Sequence, residues 1–268
     1  MVVFAGQGDA RRSMSLLWRA AAGAEPGHPG RGPKPGLSVD MIVDAGIAVA
    51  DADGMAALSM RAVGERLGRT GMALYTYVPG KGELVDLMYD RVLAELPTGY
   101  RRGPGWRADL VEWAEDLWAF YLRHPWVLQV SPARPVLGPN EYVLLETLTD
   151  ILRRTGLPAV TLRRVLGALF NVVRGSAQTV NESRQATAVT GVSDEEWWYA
   201  RSALLEEVAP DFGDRFPALT WMAGEGAFTQ ADDDPTPYLE REARESFETG
   251  LAVLLDGIET AMARAGVP

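Results

Sequence analysis

A chain of 268 residues with 36 acidic and 26 basic side chains carries a net charge of −10, and its length allows one ordinary core plus a smaller unit. The absence of cysteine excludes structural disulfides, thiolate metal sites and cysteine nucleophiles, and makes a cytoplasmic location the expectation. No aliphatic run reaches the roughly 20 residues of a membrane helix, so no membrane partner is expected.

Residues 1–36 hold an Arg11-Arg12 pair and end in a Pro/Gly-rich stretch from Pro26 to Gly36. Arg19 cuts the apolar run behind the arginine pair to about six residues, short of the roughly 7–15 of an export signal. The segment reads as a flexible extension.

Ser38 caps a first predicted helix over about residues 39–52, with Asp40 at its positive end and Ile42, Ala45 and Val49 at helical spacing, until Asp53-Gly54. Ser59 caps a second, short helix in which Val63 and Leu67 stack one turn apart, and Gly68 stops it in a left-handed conformation. Thr70 caps a third, with Leu74 and Val78 facing inward until Pro79-Gly80. A fourth begins near Lys81 and keeps Leu84, Leu87, Met88 and Val92 on one face until Pro97.

Helical periodicity continues over Trp106 to Arg123, Asn140 to Arg154, Pro158 to Glu182, Asp194 to Val208 and Glu240 to Arg264, and no alternating strand pattern is present. The chain is therefore predicted to be all-α. A three-helix helix-turn-helix domain occupies residues 37–83, and a larger helical domain for ligand binding and dimerisation occupies residues 84–268. The acidic run Asp232-Asp233-Asp234 reads as a solvated loop.

Two short helices joined across Arg69, the first ended by glycine, form the local pattern of a helix-turn-helix, although helical hairpins that never touch DNA share it. Charge supports the DNA reading locally: within residues 60–82, Arg61, Arg66, Arg69 and Lys81 stand against Glu65 alone. Residues 101–268 hold sixteen basic and twenty-five acidic groups, so one basic face sits on an acidic protein.

The stretch from Arg31 to Met88, and above all ALYTYVPGK at residues 73–81, resembles the DNA-binding region of the tetracycline-repressor family. RHPWV (123–127), LGPNEYVLLE (137–146) and FNVVRG (170–175) resemble that family's C-terminal domain. The resemblance implies a DNA-binding regulator that responds to a small molecule. It also implies that Tyr75 contacts phosphate and that Lys81 binds phosphate at the start of the next helix.

With Leu74 and Val78 packed, the third helix points Thr70, Gly71, Met72, Tyr75, Thr76 and Tyr77 outward, where side chains near a recognition helix's start meet DNA. Tyr77 has a second reading, as core against the first helix. Met72 suits contact with thymine methyl groups. Arg61 suits either a guanine edge or a salt bridge to Glu65 four residues on. Arg31 and Lys34 read either as groove or phosphate contacts or as an unattached arm.

In the large domain, Asn171, Arg174, Gln178 and Asn181 form a narrow polar stripe on an otherwise apolar helix. Such a stripe lines a ligand pocket, lies in a dimer interface or faces water. The pocket reading leads, because Arg174 falls within the family-like VVRG motif. Trp113, Phe120, Trp126 and Phe170 supply flat apolar surface for the same pocket, with indole N–H groups as polar edges. His124, beside Pro125, reads first as a structural cap.

An enzyme is not expected. The two histidines, His28 and His124, are isolated and no G-x-S-x-G motif accompanies them, while Glu112 and Asp116 lie one turn apart as a solvated face. No cofactor or metal site is expected. The predicted partners are double-stranded operator DNA, an unidentified small-molecule effector and a second copy of the chain.

Overall fold

The computed structural model describes residues 2–19, 36–100, 105–228 and 236–266. Its regular structure among the described residues is helical: α1 (Ala10–Leu17), α2 (Val39–Ala57), α3 (Met60–Arg66), α4 (Gly71–Leu74), α5 (Lys81–Leu93), α6 (Trp106–Arg123), α7 (Pro139–Arg153), α8 (Ala159–Thr190), α9 (Asp194–Val208), α10 (Phe212–Arg215), α11 (Pro217–Gly224) and α12 (Tyr238–Arg264). A short 3-10 turn, Pro125–Gln129, follows α6, and an isolated parallel bridge pairs Val3 with Val130. None of these helices is long and apolar enough to cross a membrane.

Local chemistry sets the early boundaries. Ser38 Oγ accepts from the Met41 amide at 3.2 Å and Ser59 Oγ accepts from the Ala62 amide at 3.1 Å, each satisfying a donor that a helix start leaves open. Gly54, at φ +74°, breaks α2 where the sequence places its end, and Gly68, at φ +64°, closes the turn after α3. Two details differ from the sequence reading. Thr70 occupies the cap position of α4 without a side-chain cap bond, and α4 ends at Leu74, with Tyr75 to Tyr77 forming a turn in which Tyr77 and Val78 donate to the Leu74 carbonyl. Pro79 cannot continue a helix, so the last turn before it tightens.

The structure divides into two compact units, Met1–Arg174 with Leu254–Pro268, and Gly175–Val253. The division falls inside α8 and α12, whereas the sequence reading places a boundary after residue 83. The first unit's core gathers Ile42, Val49, Met55, Leu58, Val63, Leu74 and Val78 from the first helices with Leu84 and Met88 of α5. Leu110, Trp113, Leu117, Phe120, Trp126, Leu148 and Leu152 extend it. In the second unit Ala177, Val180, Ala243, Phe247 and Leu251 are buried, while no side chain of α10 or α11 is.

The first part of the predicted extension is built into the first unit. Val3 donates to the Gln129 carbonyl and accepts from the Ser131 amide, both at 2.8 Å, Ala5 is buried, and α1 packs on α5. Composition around residues 26–36 suggested a loose arm, but residues 2–19 find backbone partners and an apolar seat that composition does not report.

Candidate DNA interface and effector region

The crossing of α3 and α4 is built on glycine. A Cβ on Gly64 would lie 2.8 Å from the Arg69 carbonyl oxygen and 2.9 Å from the Gly71 nitrogen. A Cβ on Gly71 would lie 3.2 Å from the Met60 carbonyl and the Arg61 nitrogen. The two backbones therefore approach where side chains would hold them apart, and Arg69 N donates to the Gly64 carbonyl at 2.8 Å across the turn. Gly71 thus belongs to the crossing rather than to the outward face on which the sequence reading placed it.

Leu74 and Val78 are fully buried, which turns the remaining residues outward. Met72 is 76% exposed, Tyr75 42% and Tyr77 36%, and Thr70 and Thr76 are exposed beside them. Tyr77 therefore lies at the rim rather than in the core. Arg66 and Arg69 are exposed as well. Arg61 is exposed, with its Nε 3.8 Å from Glu65 Oε1, a separation at which a solvated pair contributes little and the guanidinium stays available. Lys81 Nζ lies 3.4 Å from the Met55 carbonyl, where the kinked end of α2 leaves an acceptor, so the lysine is posted at the turn between α4 and α5. Arg31 and Lys34 lie outside the described residues.

Helix α5 ties this head to the rest of its unit through carboxylates. Asp90 accepts from the Asn140 amide and side chain, both at 2.9 Å, and from the Glu141 amide at 3.0 Å, capping the start of α7. Asp86 accepts from the Gly6 amide at 3.1 and 3.2 Å. Burial pushes its pKa up to about 6 and outweighs the Gly6 bond, with nearby Glu83 and Glu141 adding in the same direction. Burial likewise raises the pKa of Asp90 and of Glu141. Arg91 reaches Asp44 of α2 at 3.3 Å.

A second tie involves residues predicted for other roles. Asp51 of α2 accepts from Trp126 Nε1 at 2.8 Å and lies 2.8 Å from His124 Nδ1, while His124 Nε2 lies 3.1 Å from Glu95 Oε2. His124 closes the carboxyl end of α6, as its place beside Pro125 suggests. Trp126, predicted to line the effector pocket, is instead 1% exposed and committed to Asp51, because a buried indole N–H needs an acceptor. Phe120 is also fully buried, between the rings of Tyr121 and His124 at 5.7 and 5.4 Å, and serves as core rather than lining.

Arg174, the one cation of the polar stripe, donates to the carbonyls of Leu128 and Val130, the latter at 3.0 Å, which satisfies acceptors the 3-10 turn leaves open. Burial raises the pKa of Tyr121 above the ordinary tyrosine value, and the Arg174 guanidinium bonded to it opposes the rise. Asn171 is exposed, and Gln178 lies in the second unit with its amide donating to Glu182 at 2.7 Å. Trp113 meets Phe170 edge to face at 5.3 Å, and its indole N–H is buried with no hydrogen-bond partner among the described residues. Such an orphan costs about 1–3 kcal/mol.

A cavity of about 350 Å³ lies in the second unit, lined by Ser202, Leu205, Ala209, Pro210 and Phe212. No sequence pattern singled out those residues, nor the roles of Asp51, Asp86 and Asp90. Isolated carboxylates on helices resemble solvated faces until their neighbours are known.

A model of the tetracycline-repressor-like C-terminal domain matches residues 101–262. The HTH-type transcriptional repressor DrrR1 of Streptomyces coeruleorubidus is 38% identical over 261 residues, covering 97% of this chain and 89% of its own. An HTH-type transcriptional regulator of Saccharopolyspora erythraea is 33% identical over 186 residues, 69% of this chain and 75% of its own. Apo ActR from Streptomyces coelicolor has a TM-score of 0.65 at 24% identity over 87% of this chain and 99% of that one. ActR in complex with actinorhodin has a TM-score of 0.65 at 25% identity over 85% and 98%. With the helix-turn-helix and the matched C-terminal domain both in place, this chain belongs to the tetracycline-repressor family of helix-turn-helix transcriptional regulators, not to a class of enzymes.

Proposed function

We propose that the chain is a cytoplasmic, homodimeric repressor that grips a near-palindromic operator through α4 and its flanks and releases it on binding a small molecule. The observation that carries the DNA half is the outward face of Met72, Tyr75 and Thr76, flanked by Arg61, Arg69 and Lys81 and held by a glycine crossing that fixes its orientation. Tyr75 and Lys81 position the protein on phosphate. Met72 and Arg61 meet base edges, because both side chains stand largely free in solvent beside the packed face.

Two recognition helices related by a two-fold axis require a near-palindromic site. The proposed dimer forms through α8 and α12, which leave Val160 66% and Val253 65% exposed. The effector half rests on Trp113. Its unpartnered N–H beside Phe170 suits an aromatic molecule with a hydrogen-bond acceptor, and the solved complex of ActR with actinorhodin supports a small-molecule effector in this fold. Residues 37–83 remain the proposed DNA-binding domain and residues 84–268 the effector and dimerisation domain.

The test is a gel shift with the duplex upstream of the protein's own gene, followed by footprinting and light scattering. A protected near-palindrome and a dimeric mass are expected. Failure to shift this duplex above random DNA overturns the DNA half of the reading, and a monomer at micromolar concentration overturns the proposed dimer.

A further inference from the structure

The amino-terminal residues touch several elements of the first unit in succession. Val3 forms its paired backbone bonds with Gln129 and Ser131, just past the 3-10 turn. Gly6, at φ +67°, turns the chain so that its amide meets the Asp86 carboxylate on α5. Gly8 passes close to the Glu83 carboxyl, which a side chain there would displace, and Gln7 lies against Gly82. After α1, Trp18 Nε1 donates to the Leu137 carbonyl at 3.0 Å, its ring lies 6.1 Å from Tyr142, and Arg19 pairs with Asp40 at the start of α2.

One continuous segment therefore binds the turn after α6, the first half of α5, the start of α7 and the start of α2. Its bonds to Gln129 and Ser131 bracket Val130, whose carbonyl accepts from Arg174, and its partner Asp86 sits on the helix that begins at Lys81. A shift of the Leu128–Val130 turn acts on Val3, which only three residues join to the Gly6 amide on Asp86, a reach of at most about 11 Å. We propose that residues 2–19 act as an intramolecular strap that transmits movement between the Arg174-held turn and α5, in addition to the direct contacts of His124 and Trp126 with α2. The biological use of the strap rests on the regulator reading above, but its mechanical part does not.

The two ends of the strap give a reciprocal test by hydrogen exchange on the full-length protein. Val3→Pro removes the amide that bonds Gln129, whereas Val3→Ala keeps it. Gly6→Ala forces a side chain into the left-handed backbone and loosens the Asp86 end. Val3→Pro is expected to speed exchange roughly threefold to tenfold in Gly82 to Asp90 of α5 as well as at Ser131, the scale set by losing one or two backbone hydrogen bonds. Gly6→Ala is expected to speed exchange at Ser131 in return, while Val3→Ala and the amides of Ile42 to Ala50 in α2 stay at wild-type rates.

If Val3→Pro changes only its own end and Gly6→Ala only the other, the strap transmits nothing and the proposal fails. A uniform rise that includes Ile42 to Ala50 also overturns it, because that pattern is general destabilisation. A second comparison adds the duplex upstream of the protein's own gene. Binding is expected to alter exchange at Ser131 in the wild type and in Val3→Ala but not in Val3→Pro. An unchanged Ser131 on a shifted complex counts against the strap, whereas a missing gel shift counts against the regulator reading and leaves the first comparison to decide.

Discussion

Replacing Gly64 by alanine asks whether the α3 and α4 backbones need their close approach. The added methyl would stand 2.8 Å from the Arg69 carbonyl oxygen, 2.9 Å from the Gly71 nitrogen and 3.1 Å from the Thr70 carbonyl carbon, all backbone atoms of the turn. A flexible side chain could swing away, but these atoms move only if α4 moves. Overpacking of this kind costs about 1–3 kcal/mol, and alanine returns about 0.5–1 kcal/mol through its better helix propensity. The net loss is about 0–2.5 kcal/mol, with about 1 kcal/mol, or roughly 2–4 °C in Tm for a chain of this size, as the central expectation. Gly71→Ala, whose nearest backbone atoms lie at 3.2 Å, should cost less. DNA binding should fall further than stability alone explains, because the displaced element is the proposed recognition helix. Thermal unfolding and gel shifts on the two variants provide the measurement. A Tm for Gly64→Ala at or above the wild-type value would refute the close-approach account.

Four further outcomes follow from the same geometry. The buried Asp86 holds its proton more tightly folded than unfolded, so its contribution is fully present below the ordinary value of 3.8 and is lost as pH rises through about 6. Asp86→Asn keeps an acceptor for Gly6 and removes the charge facing Glu83 and Glu141. It should raise Tm at pH 7.5, by the equivalent of roughly 1–2 kcal/mol after screening, and the gain should shrink as pH falls to 4; a gap that does not change with pH contradicts this. Asp51→Ala leaves the Trp126 indole without its acceptor and should cost about 1–3 kcal/mol in denaturant unfolding, whereas Asp51→Asn should cost less. Arg174→Ala frees the Leu128 and Val130 carbonyls and should destabilise by about 1.5–3 kcal/mol, a loss that pure pocket lining would not produce. Lys81→Ala should weaken all DNA sequences alike and lower the slope of log affinity against log salt by about one; an unchanged slope removes the phosphate role.

Much of the head was legible in the sequence because its signals are local. A serine before a helix, a glycine after one and apolar residues three and four apart act within a few residues of themselves, and Ser38, Ser59, Gly68, Leu74 and Val78 behave as that spacing predicts. The effector region was less legible. Trp113 and Trp126 look alike in sequence, each an aromatic in an apolar segment, yet the Trp126 indole bonds Asp51 and that of Trp113 has no partner among the described residues. That difference is set by a residue 75 positions away on α2. Arg174 stood out in the sequence through the polar stripe and the family-like VVRG motif and was read as pocket lining, but its acceptors in the structure are backbone carbonyls, which carry no sequence signature. The amino-terminal strap escaped for the same reason, since its bonds at Val3 and Gly6 use main-chain groups that any residue supplies.

Helix α5 shows why a regulator would keep costly groups where apolar ones would pack. Along about three turns it meets α2 through Lys81 and Arg91, the strap through Asp86 and the start of α7 through Asp90. Apolar contacts tolerate sliding, so a helix held by Leu84, Val85 and Met88 alone would drift among similar positions. Hydrogen bonds to carboxylates are directional and weaken as their geometry is lost, so these polar contacts favour one seat for α5. Burial raises the pKa of Asp86 and Asp90, so the ionised carboxylates are held in that seat against a desolvation penalty. A helix with one well-defined seat and several bonds that break together shifts in steps rather than by degrees. Stepwise movement is what a change at Arg174 needs if it is to alter the placement of α4 rather than be absorbed on the way.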